Sequence, residues 1–444
     1  MARRFLPVSA LLPVLWLGSA AADPAPEPTR KADKDKDAQP EGAETDAAAP
    51  DRTADAGERP VVKLIKSVDV YTRPAAKRRY FLGTITRDAR VEVLEQKSAK
   101  GCKGKWLRIE ARAWLCSQAT RPTDEPPGAT PLFGLQADDL LPRDYVVTRD
   151  APVFSSLDDA GNDNSKETIR GLGGFVKGRS VQRNGQRYVK TPRGWVPASS
   201  VQSVAASTFK GVPLSPVHRG KRLAFVRVKR APLHDENGAR KEKRGPAMQT
   251  YLGEIGEPIV IEQPGKRRSR TRASTFYPIG DGDYVRAEDV SLIEWTEAPE
   301  EVAREAGVPS ERWVDVSVSR QLLVAYDGRD PVMATLVSTG RTATTPGVYR
   351  IQKKRAFGRL RAKAEYNTQW DVNVPWVMTL DGRLAMHTVY WHENFGQPFS
   401  QGCVNLAPID AKWLWDFTEP TLPDGWLRVM SDDQSPGTVV RIRK

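Results

Sequence analysis

His387-Thr388-Val389-Tyr390-Trp391-His392-Glu393-Asn394-Phe395-Gly396-Gln397-Pro398-Phe399-Ser400-Gln401-Gly402-Cys403-Val404-Asn405-Leu406 joins a histidine to a cysteine sixteen residues later, each beside a short apolar run. Upstream, Trp376 to Leu380 and Arg383 to His387 flank Asp381-Gly382, a strong two-residue hairpin signal, so His387 is expected at the end of a strand. Downstream, Pro408 suits a first helical position, and Ile409, Trp413, Leu414 and Phe417 predict one face of a short helix. Thr438 to Ile442 reads as a closing strand. Farther back, Trp313 to Val318 alternates cleanly, Gln321 to Tyr326 gives a second strand and Val332 to Ser338 a third. A β-rich domain with one short helix is therefore expected over 312–444.

A thiol of pKa near 8.5 is only about 3% thiolate at pH 7, and a neighbouring imidazole raises that fraction by taking the proton or by pairing as an ion. Cys403 as nucleophile with His387 as general acid and base is one reading. A hydrogen-bonded core histidine and a buried thiol are the other. Gly402 lets the backbone come close to a substrate, so amides beside Cys403 could face a tetrahedral oxyanion. Among Cys, His, Asp and Glu, no cluster has zinc-ligand spacing, so neither a metal nor another cofactor is expected.

The stretch resembles the signature of YkuD-type L,D-transpeptidases, a His followed sixteen residues later by the Cys of a Ser-x-Gly-Cys-aliphatic-Arg/Asn-Leu block. Ser338-Thr339-Gly340 and Thr345-Pro346-Gly347-Val348-Tyr349 resemble two further family segments, and the likeness runs from about Trp313 to Lys444. Gln401 stands where many members have His, and the Thr-Pro segment is one residue short, which touches the rim of the site rather than the reaction class. The resemblance implies a thiol acyltransferase acting on peptidoglycan stem peptides, with the Thr388 carbonyl orienting the His387 ring. Ser400, Gln401, Asn405, His392, Trp391, Tyr390 and Gly396 are then candidate substrate-binding residues. The acceptor would be a second stem, an envelope protein lysine, or water.

From Val61 to about Ile293 the chain shows short β-like runs broken by Gly, Pro, Asn and Asp. Gly194-Trp195-Val196-Pro197-Ala198-Ser199-Ser200-Val201 and Asp283-Tyr284-Val285-Arg286-Ala287-Glu288-Asp289-Val290 align at aromatic, Val, Ala and Val. This repeat resembles bacterial SH3-like modules, which places one at 61–125, a second at 141–206 and a third at 219–296. The fold class expected is mainly β, with tandem small SH3-like barrels before the terminal domain. Their role would be wall binding or spacing.

Arg3 and Arg4, the apolar run Phe5 to Gly18 and Ala20-Ala21-Ala22 form a signal peptide at 1–22, too short to serve as a spanning helix, so no membrane anchor is expected after cleavage. Residues 23–60, rich in Ala, Pro and charge and without an aromatic, read as a disordered linker. The chain carries +13; the signal is +2 and the linker −5, leaving +16 on 61–444, with basic clusters at Lys221 to Arg230, Lys266 to Arg272 and Lys353 to Lys363. A polyanion is expected nearby, although a solvated face accounts for the charge equally well. No Gly-rich phosphate loop or aromatic RNA-binding signature is present, so nucleic acid is not the expected partner; the cell envelope, on the periplasmic side, is the expected location. Three cysteines leave one odd thiol in an oxidising compartment. Cys102 and Cys116 flank Trp106-Leu107-Arg108-Ile109 and Ala113-Trp114-Leu115, which could pair as a hairpin, and a disulfide across the loop would stabilise by roughly 3 kcal/mol.

Overall fold

Residues 59–129, 140–141, 145–264, 271–303, 312–361 and 370–444 are described by a computed structural model of the chain. The signal-like segment, most of the linker and Lys266 to Arg270 lie outside them. The chain is mainly β, and its helices are short.

Each of the three N-terminal segments ends in the same local device, a strand, a single 3-10 turn and a second strand. The first reads Ala113–Cys116, Ser117–Ala119, Thr120–Thr123; the second Gly194–Pro197, Ala198–Ser200, Val201–Ser203; the third Tyr284–Arg286, Ala287–Asp289, Val290–Ile293. The Trp106–Glu110 and Ala113–Cys116 strands pair with Trp106 opposite Cys116, and Cys102 and Cys116 form a disulfide with Cα atoms 5.5 Å apart. In the second segment, Asn184 and Gly185 both take positive φ between paired Arg183 and Gln186, the geometry of a tight hairpin whose twist matches its strands.

The C-terminal domain stacks two sheets around one core. One sheet runs Asp330–Leu336, Leu322–Asp327, Arg312–Ser317, Val439–Arg443 and Gly347–Arg350, with the last strand of the chain parallel to Arg312–Ser317. The other contains Lys353–Arg361, the long strand Trp370–Asp381, Leu384–Thr388 and Val404–Leu406. Val314, Val316 and Leu323 from the first meet Met378, Met386 and Val404 from the second. Burying side chains of this size contributes about 1.5–3 kcal/mol each before the ordering entropy is counted.

Helix Pro408–Phe417 begins at proline as expected but is turned from the predicted face. Ala411, Leu414 and Trp415 are buried, whereas Trp413 is exposed and stacks on Phe417, one turn on. Its last carbonyls are met by a residue the sequence placed in a surface cluster. Lys354 is wholly buried and donates from Nζ to the Trp415 carbonyl at 2.7 Å and to that of Thr418. A cation there completes a helix C-terminus, and burial lowers its pKa to about 7. The Lys353 to Lys363 cluster is thus not a uniformly exposed basic face. In the Lys221 to Arg230 cluster, Lys221 and Arg222 pair with Glu254 and Glu257 of their own segment.

The sheets do not stop at the expected segment boundaries. Phe81–Ile85 of the first segment pairs with Trp426–Met430, placing Gly83 opposite Val429. Glu167–Val176 of the second runs parallel to Trp370–Asp381, with Leu172 opposite Trp370 and Gly174 opposite Val372. Between the second and third segments, Val212–Pro213 adds an edge to Asp330–Leu336. There the Gly211 amide donates to Asp410 Oδ1 at 2.8 Å, and burial holds that carboxyl up at about 6. Among the described residues no helix is long and apolar enough to cross a membrane.

Candidate active site

The Asp381-Gly382 turn folds as a hairpin in which Asp381 pairs with Leu384 and Met378 with Met386. Its return strand Leu384–Thr388 lies parallel to Val404–Leu406, His387 opposite Asn405 and Met386 opposite Val404. That register sets the site. Continuing it by one residue brings Cys403 beside Ala385, and side chains two apart on a strand share a face. His387 and Cys403 therefore project to one side of the sheet, while Met386 and Val404 project to the other, into the main core. Consistently, Cys403 packs on a separate apolar cluster containing Ala385, Tyr390, Val374 and Val377.

His387 is almost wholly buried, and its Nδ1 lies 2.8 Å from the Thr388 carbonyl. A carbonyl can only accept, so Nδ1 carries the proton and Nε2 is the nitrogen left for proton transfer. His392 is held differently. Its Nδ1 accepts from the Asn394 amide at 3.1 Å and its Nε2 lies 3.1 Å from the Asn405 side-chain amide. With Nδ1 accepting, Nε2 is the N–H, and the Asn405 amide, whose Nδ2 is the atom nearest the ring, must turn its oxygen there to accept. The ring is packed between Phe395 and Phe399, leaving no lone pair for a second role.

Burial, reinforced by Arg355, lowers the His387 pKa to about 4 despite the Thr388 bond, and burial pushes the Cys403 thiol up. Both changes favour the uncharged form. Both groups are thus held toward their uncharged forms, which runs against the expectation of an imidazole that enriches resting thiolate. We expect no thiolate absorbance from Cys403 at pH 7, only above pH 9, by difference against Cys403→Ala. A thiolate signal that titrates in near pH 4, together with a charged His387, would show an ion pair instead.

Gly402, at φ +142°, takes a backbone conformation rare for other residues, and its own side is closed by the Ala343 carbonyl. Thr344 holds it there by donating to the Gly402 carbonyl at 2.7 Å while accepting from the Gly340 amide at 2.9 Å. The Ser338-Thr339-Gly340 segment lies along the cysteine loop, with paired bonds between Ser338 and Asn405. The Gly402 amide itself is engaged by Ser400 Oγ at 3.1 Å, so an oxyanion would have to displace that hydroxyl. Gly396 donates to the Val337 carbonyl, also at positive φ, and Gln401 is exposed at the rim. Trp391 is half-buried, edge-on to Tyr390 and 6.4 Å from the His387 ring.

Sequence reasoning missed the second segment here. Leu141 and Leu172 belong to the apolar cluster against which Cys403 packs. Gly174 leaves room for the Tyr390 hydroxyl, which donates to the Asn373 carbonyl at 3.0 Å; any side chain at 174 would collide with it. Gly171, Gly173 and Gly174 inside a strand were the available signal, since glycine there marks close approach of another group.

Residues 311–442 match the YkuD family, described as the L,D-transpeptidase catalytic domain. No curated protein matches the chain. Solved structures with a matching stretch include a mutant L,D-transpeptidase of Enterococcus faecium, 20% identical over 30% of this chain and 50% of that one, with a TM-score of 0.24. An L,D-transpeptidase from Mycobacterium smegmatis is 14% identical over 42% of this chain and 91% of its own, TM-score 0.25. One from Stackebrandtia nassauensis is 25% identical over 31% and 57%, TM-score 0.22. The chain spans half the length of the first.

Proposed function

We propose, on the premise that residues 311–442 are an L,D-transpeptidase catalytic domain, that the chain is an exported peptidoglycan L,D-transpeptidase of the cell envelope with Cys403 as nucleophile and His387 as general acid and base. Cys403 attacks the carbonyl linking the third stem residue to D-Ala, His387 Nε2 takes the thiol proton, and the same proton passes to the leaving amine as D-Ala departs. An amine from a second stem or a protein lysine then attacks the thioester, returning the thiol and leaving a 3→3 crosslink or an anchored protein. The observation that carries this reading is the fixed tautomer of His387, with Nδ1–H on the Thr388 carbonyl, on the strand parallel to that of Cys403.

A general base must come within about 3 Å of the proton it takes, and a ring fixed on a strand can hold such geometry once substrate is bound. The disulfide between Cys102 and Cys116 leaves Cys403 as the free thiol, which supports both export and thiol chemistry. The N-terminal segments act as SH3-like modules that bind or space the wall, and the signal-like stretch directs export to the periplasm. Incubating the protein with disaccharide-tetrapeptide and weighing the products tests the reaction. Release of D-Ala with a crosslinked dimer is expected; a tripeptide product alone makes the chain an L,D-carboxypeptidase with water as acceptor, and no turnover leaves it a wall-binding protein.

A further inference from the structure

Beside the cysteine loop lies a cavity of about 530 Å³, bounded by Arg227, Ser319, Arg341, Thr342, Thr344 and Lys444. It is built where the third N-terminal segment meets the C-terminal domain. Arg227 belongs to the former, donates to the Ser319 carbonyl at 2.9 Å, and receives the Gln397 side chain on its own carbonyl. Gln321, another wall residue, is buried and fixes both the amide and the hydroxyl of Thr339 at 2.7 Å. The cavity adjoins the reaction centre through Thr344, whose hydroxyl holds the Gly402 carbonyl, one residue from the nucleophile.

Its charge is one-sided. Arg227, Arg341 and Lys444 bring three side-chain cations, and no ion pair to a carboxylate engages any of them among the described residues. Arg320, whose charge bears on Arg227, is itself paired with Glu294 at 2.7 Å. Arg227 is half-buried, and its guanidinium is held below its usual range by burial and by Arg320. Thr342, Ser319 and Thr344 add hydroxyls. Two guanidinium groups that no Asp or Glu pairs among the described residues, set among hydroxyls, suit an anion, and a guanidinium fork fits a carboxylate; the Lys444 ammonium is offset by that residue's own main-chain carboxylate.

We propose that this cavity is a carboxylate subsite for an acidic peptide, one that holds a free carboxylate of the stem while its backbone lies at Cys403. The inference rests on the transpeptidase reading, and it makes the third N-terminal segment, through Arg227, part of substrate recognition.

The test uses the full chain carrying Cys403→Ala, which leaves the peptide intact, and two probes: a tetrapeptide stem with free carboxylates and the same peptide with those groups amidated. By titration calorimetry the acidic form should bind about tenfold or more tightly. Arg341→Gln, at an exposed residue that has no ion-pair partner among the described residues, should cut that ratio several-fold, as should Arg227→Gln. Raising salt should narrow it as well. Equal affinities, including no measurable binding of either probe, overturn the proposal, as does a ratio that neither substitution moves. Discrimination by the Cys403→Ala chain with no turnover by the unaltered one would leave the subsite standing and sink the reaction. Turnover without discrimination would do the reverse.

Discussion

Cys403→Ala should abolish release of D-Ala from a tetrapeptide stem, a fall on the order of 10⁴-fold or more, while the protein still unfolds cooperatively near the unaltered temperature. In the proposed reaction the sulfur carries the covalent intermediate, and with Cys102 and Cys116 in a disulfide no other free cysteine can replace it. The fold should tolerate the change because little is packed on the sulfur alone. Cys403 is partly exposed, sits at the margin of its apolar cluster, and its Sγ makes only weak contacts with the backbone of the neighbouring strand, 3.7 Å from the Arg383 carbonyl and bonded to the Ala385 backbone. Turnover retained by this variant would remove the nucleophile from the account.

The second large effect separates the two histidines. His387→Ala should lower acylation by roughly 10²-fold or more, the scale of a lost general acid and base, whereas His392→Ala should act mainly on apparent substrate affinity. His387 keeps Nε2 available because Nδ1 is committed to Thr388. His392 has both ring nitrogens engaged, by Asn394 and by Asn405, so its loss disturbs the loop and its neighbours rather than proton transfer. Stopped-flow acylation decides it, with thermal unfolding as the control, since either substitution strands a buried hydrogen-bonding group. Acylation lost with His392→Ala and kept with His387→Ala would exchange the two roles.

What the sequence disclosed was local. The Asp381-Gly382 turn needs only its own backbone and flanking strands, and from it the position of His387 at a strand end follows. The strand endings around Trp114, Trp195 and Tyr284 repeat because each is the same local device, a strand, a single 3-10 turn and a second strand. What escaped it depends on partners far along the chain. The pairing of Leu172 with Trp370 and of Gly83 with Val429 joins segments that a linear reading separates. Lys354 looks like any surface lysine until the carbonyls at the end of Pro408–Phe417 are brought to it. The same holds for the protonation of the candidate pair: spacing suggests a thiol and an imidazole near each other, but burial, visible only in the fold, pushes both toward their uncharged forms.

The central claim is a covalent acyl group on one sulfur. Intact-mass measurement of the protein mixed with disaccharide-tetrapeptide, quenched in acid and mapped by peptide, should show the acyl donor less D-Ala on the peptide containing Cys403, and no such adduct in Cys403→Ala. An adduct on another residue, or product formed while Cys403 never carries mass, would contradict it.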